Sequence, residues 1–455
     1  MGNDLSRLLQ RLDPFALSRG QARPHAGIPL ALPLNISDID TAAASVTVSA
    51  TSGNPALIPA ANITSSGTTG THTHTLSLGL ILNGTRTMTA VAGTTFVLDG
   101  TLSESGGSFG FIKAGQGSAT LSGSNSFTGA ISVNQGVLTI GSIADSGTNS
   151  AIGAGSVINL GSGTTTAGTL TYNGVGGSTN RTVNLAATTT GAATINSSGT
   201  GALIFTGTFA NAGTGAKTLT LGGSNTNNNE IQSVLGNGSG TLSLAKSNGG
   251  TWVLSALNTY TGITTINQGT LVINSIADSG LNSAIGRGSV INIGSGTTAR
   301  GVLTYLGTAG GTTNRTVNLA ATTSGGATIN NNSVNSTGAL VFTGTFTNAG
   351  TSGAKTLTLG GTNTDNNEIQ SALGDGGNGG TLAVTKTAGG TWMLSGLNSY
   401  TGSTTINQGI LSINSIADGG TSSAIGAGSV INFGSGAQTG TLFYSGAAEI
   451  GRAHV

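Results

Sequence analysis

The residues able to do chemistry are few, and they come in sets. Asp145, Asp278 and Asp418 each close a run Ile-Ala-Asp, beginning at Ile143, Ile276 and Ile416. Paired carboxylates roughly 5–9.5 Å apart are the acid and base of a glycosidase. Asp365, Glu368 and Asp375 form the one dense acidic group, suited by type to acid/base work or to Ca²⁺. In the preceding stretch of related sequence the same places hold Asn227, Glu230 and Asn237. Asn keeps a hydrogen bond but cannot ionise, so this group reads as structural. His72 and His74 stand two apart and would share a strand face, which can bind metal, but no third ligand accompanies them. Gly374-Asp375-Gly376-Gly377-Asn378-Gly379 has the spacing of a phosphate-binding glycine loop, yet no helix follows to hold the anion. Trp252 and Trp392 could stack on sugars, with Ala119 at the equivalent earlier place; local packing is the preferred reading. Ser is abundant, but its possible bases, His25, His72, His74 and His454, all lie outside the repeats, so no Ser–His pair is expected there. The sequence assigns no catalytic, cofactor-binding or metal residue.

The scaffold that must position these groups is unusual in composition. Of 455 residues 79 are Gly, 6% are charged, and 15 basic residues balance 14 acidic ones to a net charge of +1. That balance gives no electrostatic footprint for nucleic acid or acidic membrane. There is no Cys, which excludes disulfides, thiolate metal sites and Cys nucleophiles. At 36% hydrophobic the chain can bury a core of small and aliphatic side chains.

All the prolines, from Pro14 to Pro59, fall before residue 60, so residues 1–59 form an irregular lead-in. Within it Leu5, Leu8, Leu9 and Leu12 have helical spacing, ended by Pro14. Met1-Gly2-Asn3 begins a loose myristoylation pattern that chance alone supplies. From residue 60 to 448 the chain repeats itself. Asn134-Gln135-Gly136 returns at Asn267 and Asn407, Thr251-Trp252 at Thr391-Trp392, and Asn180-Arg181-Thr182 at Asn314-Arg315-Thr316. The copies span approximately 113–245, 246–385 and an incomplete 386–448.

Within each copy, short Leu-, Ile- and Val-rich runs alternate with Gly, Asn, Ser and Thr, which are strand signals without helix signals. Asn-Gly hairpin turns are scarce, so the strands are expected to stack copy on copy as a β-solenoid. Stacking roughly 4.8 Å apart explains the missing charges, because a charge repeated on every turn repels its neighbours. It also explains the missing Pro, because a paired strand needs its N–H. With about six turns per copy, equivalent residues such as Asp145 and Asp278 would stand nearly 30 Å apart.

These residues resemble the autotransporter-associated β-strand repeat of type V secreted bacterial passenger domains. The signature runs from Lys386 through Trp392, Leu394-Ser395-Gly396, Asn398, Tyr400-Thr401-Gly402, Thr404, Ile406 and Gly409 to Leu411. A second instance runs from Lys246 to Leu271, with Ala256 in place of Gly. A third runs from Lys113 to Leu138, with Phe127 replacing Tyr, Ala130-Ile131 after Thr-Gly, and Val133 at the Ile position. The resemblance implies a right-handed parallel β-helix, non-enzymatic and adhesive, at the bacterial cell surface, in the outer membrane or secreted. Host or environmental glycans or surface proteins would be its targets, and a carbohydrate-active β-helix is the alternative. A secretion signal and the protein's own outer-membrane barrel are expected outside residues 1–455. Residues 449–455 match neither earlier copy and can be encoded by a common sequencing adapter, so they are expected to be a non-native tail.

Overall fold

A computed structural model describes residues 63–68 and 71–447, apart from 162–166, 186–189, 295–299, 320–324, 336, 349–352, 378 and 435–436. The leucine-spaced segment near Leu5, the myristoylation pattern, His25, His454 and the tail 449–455 lie outside the described residues. Those residues contain strands and turns and no helix. The chain climbs as a three-faced solenoid. The first face is a 13-stranded sheet, the second an 11-stranded sheet preceded by a two-stranded one, and the third two six-stranded sheets. Ile63–Thr68 pairs antiparallel with Thr71–Leu76 and covers the first turn; the other strand pairings are parallel, each to the turn before.

Alternation of side chains explains why these runs become strands. In Val157–Leu160 and Thr182–Leu185, Ile158, Leu160, Val183 and Leu185 point inward and are buried, while Asn159 and Asn184 point out. Each fully buried Leu or Ile contributes about 1.5–3 kcal/mol relative to exposure. The outward Asn residues stack in register. Asn184 donates to Asn159 at 2.9 Å, and Asn159 donates to Ser132 at 3.0 Å. Such ladders suit neutral side chains, because identical charges at that spacing would repel.

Turn length varies: Ser118 stacks beneath Val137, but Val137 stacks beneath Thr169, the difference being taken up mainly by longer connections on either side of Val157–Leu160. The sheet assignments correct the turn count expected from sequence. The strand of Lys113, Phe111–Ala114, lies on the third face; that of Lys246, Thr241–Lys246, on the first; that of Lys386, Thr381–Lys386, on the second. A copy therefore climbs five turns and one further face, not six turns. At about 4.8 Å per turn, equivalent residues are separated by about 26 Å along the axis and a third of a revolution around it. The loops carrying Asn125, Asn258 and Asn398 consequently occupy three different faces.

Candidate functional site

The groups shared by all copies converge on the corners. Lys113, Lys246 and Lys386 have no solvent exposure. The Lys246 ammonium donates to the carbonyls of Ser247 at 2.6 Å, Asn248 at 2.7 Å and Gln268 at 3.1 Å. Lys386 makes the same contacts with Thr387, Ala388 and Gln408, and Lys113 with Ala114, Gly115 and Gln135. Three donors meet three acceptors, two on the lysine's own turn and one on the next. Burial pushes all three lysines down to about 8. The Gly of Asn-Gln-Gly closes this corner with positive φ, 73° at Gly269, where a Cβ would stand 2.3 Å from the Asn248 carbonyl oxygen. Only Gly fits.

The signature Asn ties three consecutive turns. Asn258, 1% exposed, accepts from the Leu235 N–H at 2.7 Å on one side and donates to the Ala284 carbonyl at 2.6 Å on the other. Asn125 joins Leu102 to Ala151 and Asn398 joins Leu373 to Ala424 with the same geometry. Beside it, the buried hydroxyl of Tyr260 lies 2.7 Å from that of Thr264, which donates to the Ile285 carbonyl. Tyr400 and Thr404 repeat the pair. Copy one replaces both members together, with Phe127 and Ile131, so neither hydroxyl is left unpartnered.

The first two Ile-Ala-Asp loops, at Asp145 and Asp278, are organised from the following turn. The Arg181 guanidinium donates to the carbonyls of Ala144 at 2.9 Å, Thr148 at 3.2 Å and Gly153 at 2.7 Å, and Arg315 donates to Ala277 at 2.9 Å and Gly286 at 2.7 Å. Burial lowers both arginines, and Asp145 opposes that for Arg181. Asp145 accepts from the Asn180 N–H at 2.8 Å, as Asp278 does from Asn314. These aspartates are corner groups on separate faces.

The acidic group is distributed rather than convergent. Asp365 accepts from Gly338 N–H at 2.8 Å and from Asn363 at 3.0 Å. Glu368 accepts from Gln370 at 2.9 Å and from the Ser395 hydroxyl. Asp375 accepts from the N–H of Leu382 at 2.7 Å and of Thr401 at 3.1 Å. Asn237 makes those same two bonds, to Leu242 and Thr261, with no charge. The glycine-rich run around Asp375 is the corner leading to Thr381–Lys386, not a helix start. Trp252 and Trp392 are fully buried, donating their indole N–H to Gly222 and Gly360, so neither offers a face to a sugar. His74 packs on Phe96 with ring centroids 5.3 Å apart. His72 lies in Thr71–Leu76. Among the described residues no three His, Asp or Glu side chains group as metal ligands.

Sequence reading passed over the lysines, arginines and signature Asn as working parts. The available signal was the return of Lys and Arg at fixed places in an otherwise nearly uncharged chain.

The passenger-associated-transport-repeat family matches residues 111–140, 244–273 and 384–413. These segments begin on the strand of each corner lysine and end after the strand that follows Asn-Gln-Gly. Over 334 residues, 69% of this chain, the sequence is 37% identical to the adhesin BmaC autotransporter of Brucella suis biovar 1 (strain 1330). The chain spans about 9% of that relative's length. No solved structure matches it. With the repeat present three times, its Lys and Asn tying one turn to the next in each copy, the chain belongs to the autotransporter-associated β-strand repeat proteins.

Proposed function

We propose that residues 60–448 are part of an adhesive, non-enzymatic passenger displayed at the surface of a bacterium or released from it, with residues 1–59 as its lead-in. The observation carrying this reading is that the conserved chemistry of the copies is turned inward. Lys246, Asn258 and Arg315 are buried and bonded to backbone in neighbouring turns, and buried Tyr260 is bonded to the Thr264 hydroxyl, which donates to the Ile285 carbonyl in the next turn. Such residues build length and rigidity. What remains outside is an extended, nearly uncharged surface of hydroxyl, amide and aliphatic groups, suited to contact rather than to acid/base catalysis. The similarity to an adhesin supports the same direction. Its targets would be glycans or surface proteins, and its anchor an outer-membrane barrel of the same polypeptide. A carbohydrate-cleaving reading would need two carboxylates serving one glycosidic bond, whereas Asp365, Glu368 and Asp375 each bind different backbone or side-chain donors.

The test is adhesion by cells producing the intact gene product, compared with cells in which the segment 111–413 is deleted in frame. Loss of attachment to a glycan or protein-coated surface, with unchanged display of the remaining protein, is expected. Equal attachment by both strains, or release of reducing sugar by the purified chain, would overturn the assignment.

A further inference from the structure

The first face carries an array that holds no part of the fold together. Its outward positions fall into two ranks through six successive strands. One rank runs Thr73, Thr95, Ser118, Val137, Thr169, Thr194; the other runs Thr75, Val97, Thr120, Thr139, Thr171, Asn196. Strand geometry spaces the ranks about 6.7 Å apart and the turns about 4.8 Å apart. The sequence spacing of these threonines is irregular, but the loops absorb the irregularity and the register restores a grid. All the side chains are partly exposed, and none is charged or aromatic.

Two observations separate this grid from ordinary strand preference for Thr. The first is that its hydroxyls are unspent. The Thr171 hydroxyl accepts a long bond from Asn196 at 3.5 Å, while the hydroxyls of Thr95, Thr120, Thr139, Thr169 and Thr194 bond to no side chain or backbone group among the described residues. On the third face, by contrast, Asn184, Asn159 and Ser132 satisfy one another. The second is that the fold does not demand Thr. Because each copy advances one face, the same places recur on the second face, where Val253, Val272 and Val302 replace Thr120, Thr139 and Thr169 and break the ranks, although Thr251, Thr270, Thr304 and Thr328 stand at the places of Ser118, Val137, Thr171 and Thr194. Thr73, Thr75 and Thr95 precede the first copy and still continue the ranks.

We infer that this face binds the surface of ice. A grid made mostly of hydroxyls and methyl groups offers water regularly spaced partners in two directions. Fixing a liquid water costs entropy, whereas water in a crystal has already lost it, so a periodic array favours the crystal over the liquid. A polysaccharide would be expected to find aromatic platforms and amide or carboxylate forks, which the ranks lack. This inference is independent of what the passenger adheres to and is tested on the purified chain.

Slowly grown ice should take up the chain well above a non-binding protein of equal mass, and the chain should slow ice recrystallisation. Thr120→Tyr, which raises a bulky ring on the grid, should abolish both effects, as should Thr171→Lys. Val253→Tyr, at the matching place on the next face, should leave both intact. Far-UV circular dichroism confirms that each variant keeps its β structure. Exclusion of the unaltered chain from ice, or equal loss in Thr120→Tyr and Val253→Tyr, would overturn the inference. So would retention on insoluble cellulose or chitin that Thr120→Tyr removes while ice uptake is unchanged.

Discussion

Replacing Asn258 by Ala removes one side chain and strands two backbone groups in different turns. The Leu235 N–H loses its acceptor at 2.7 Å and the Ala284 carbonyl loses its donor at 2.6 Å, at a place only 1% exposed, where water cannot replace them. An unsatisfied buried donor or acceptor costs about 1–3 kcal/mol, so Asn258→Ala should destabilise its neighbourhood by about 2–6 kcal/mol. A stacked solenoid sums local terms between neighbouring turns, so the effect is best read turn by turn with hydrogen exchange. A loss of about 3 kcal/mol speeds exchange of the Leu235 amide by roughly a hundredfold. Amides more than a copy away, such as Leu411, should be unchanged. If Leu235 exchanges as slowly as before and the urea midpoint does not move, the signature Asn is not a tie between turns.

Three further outcomes follow from the same geometry. Tyr260→Phe should cost about 1 kcal/mol by leaving the Thr264 hydroxyl with one partner, and adding Thr264→Ile should recover most of it, since Phe127 and Ile131 already coexist in copy one; a double-mutant cycle in urea measures the coupling. Ile291, fully buried, should tolerate no carboxylate: Ile291→Asp should cost more than about 4 kcal/mol, seen as a lowered thermal midpoint or lost β signal. Stability should rise with pH above about 8, because the buried lysines release their protons there while the unfolded chain holds them to about 10.4. Above about pH 10 it should fall again, because unfolded tyrosines ionise while burial holds Tyr260 higher still and Tyr400 up at about 12; urea midpoints across pH 7–11 would show the maximum.

The fold class was legible because stacking constrains composition at every turn: after residue 60 Pro and helix periodicity are absent and charge is sparse. Ile291 and Ile293 point inward while Val290 faces out, as strand alternation requires. The advance of one face per copy was not legible. It depends on how many residues each loop absorbs, and the loop from Ile140 to Val157 absorbs more than the one from Leu121 to Ile131. The roles of Arg181 and Arg315 were hidden for a related reason. Their partners lie one turn back, near Ala144 and Ala277, and only the stacking register brings them together. For the candidate acids, the exchange of Asp375 for Asn237 between copies was legible, whereas the partners of these side chains were not. What distinguishes Asp375 from a catalytic group is the pair of N–H bonds it shares in kind with Asn237, visible only once both corners are built.

The claim that this solenoid is a surface passenger can be tested with one substitution. The chain has no Cys, and Leu257 stands 56% exposed on its loop, so Leu257→Cys in the intact gene product gives a single accessible thiol within this segment. Unbroken cells should then label with a membrane-impermeant maleimide as fully as lysed cells do. Labelling that appears only after lysis would place the solenoid inside the cell and contradict the account.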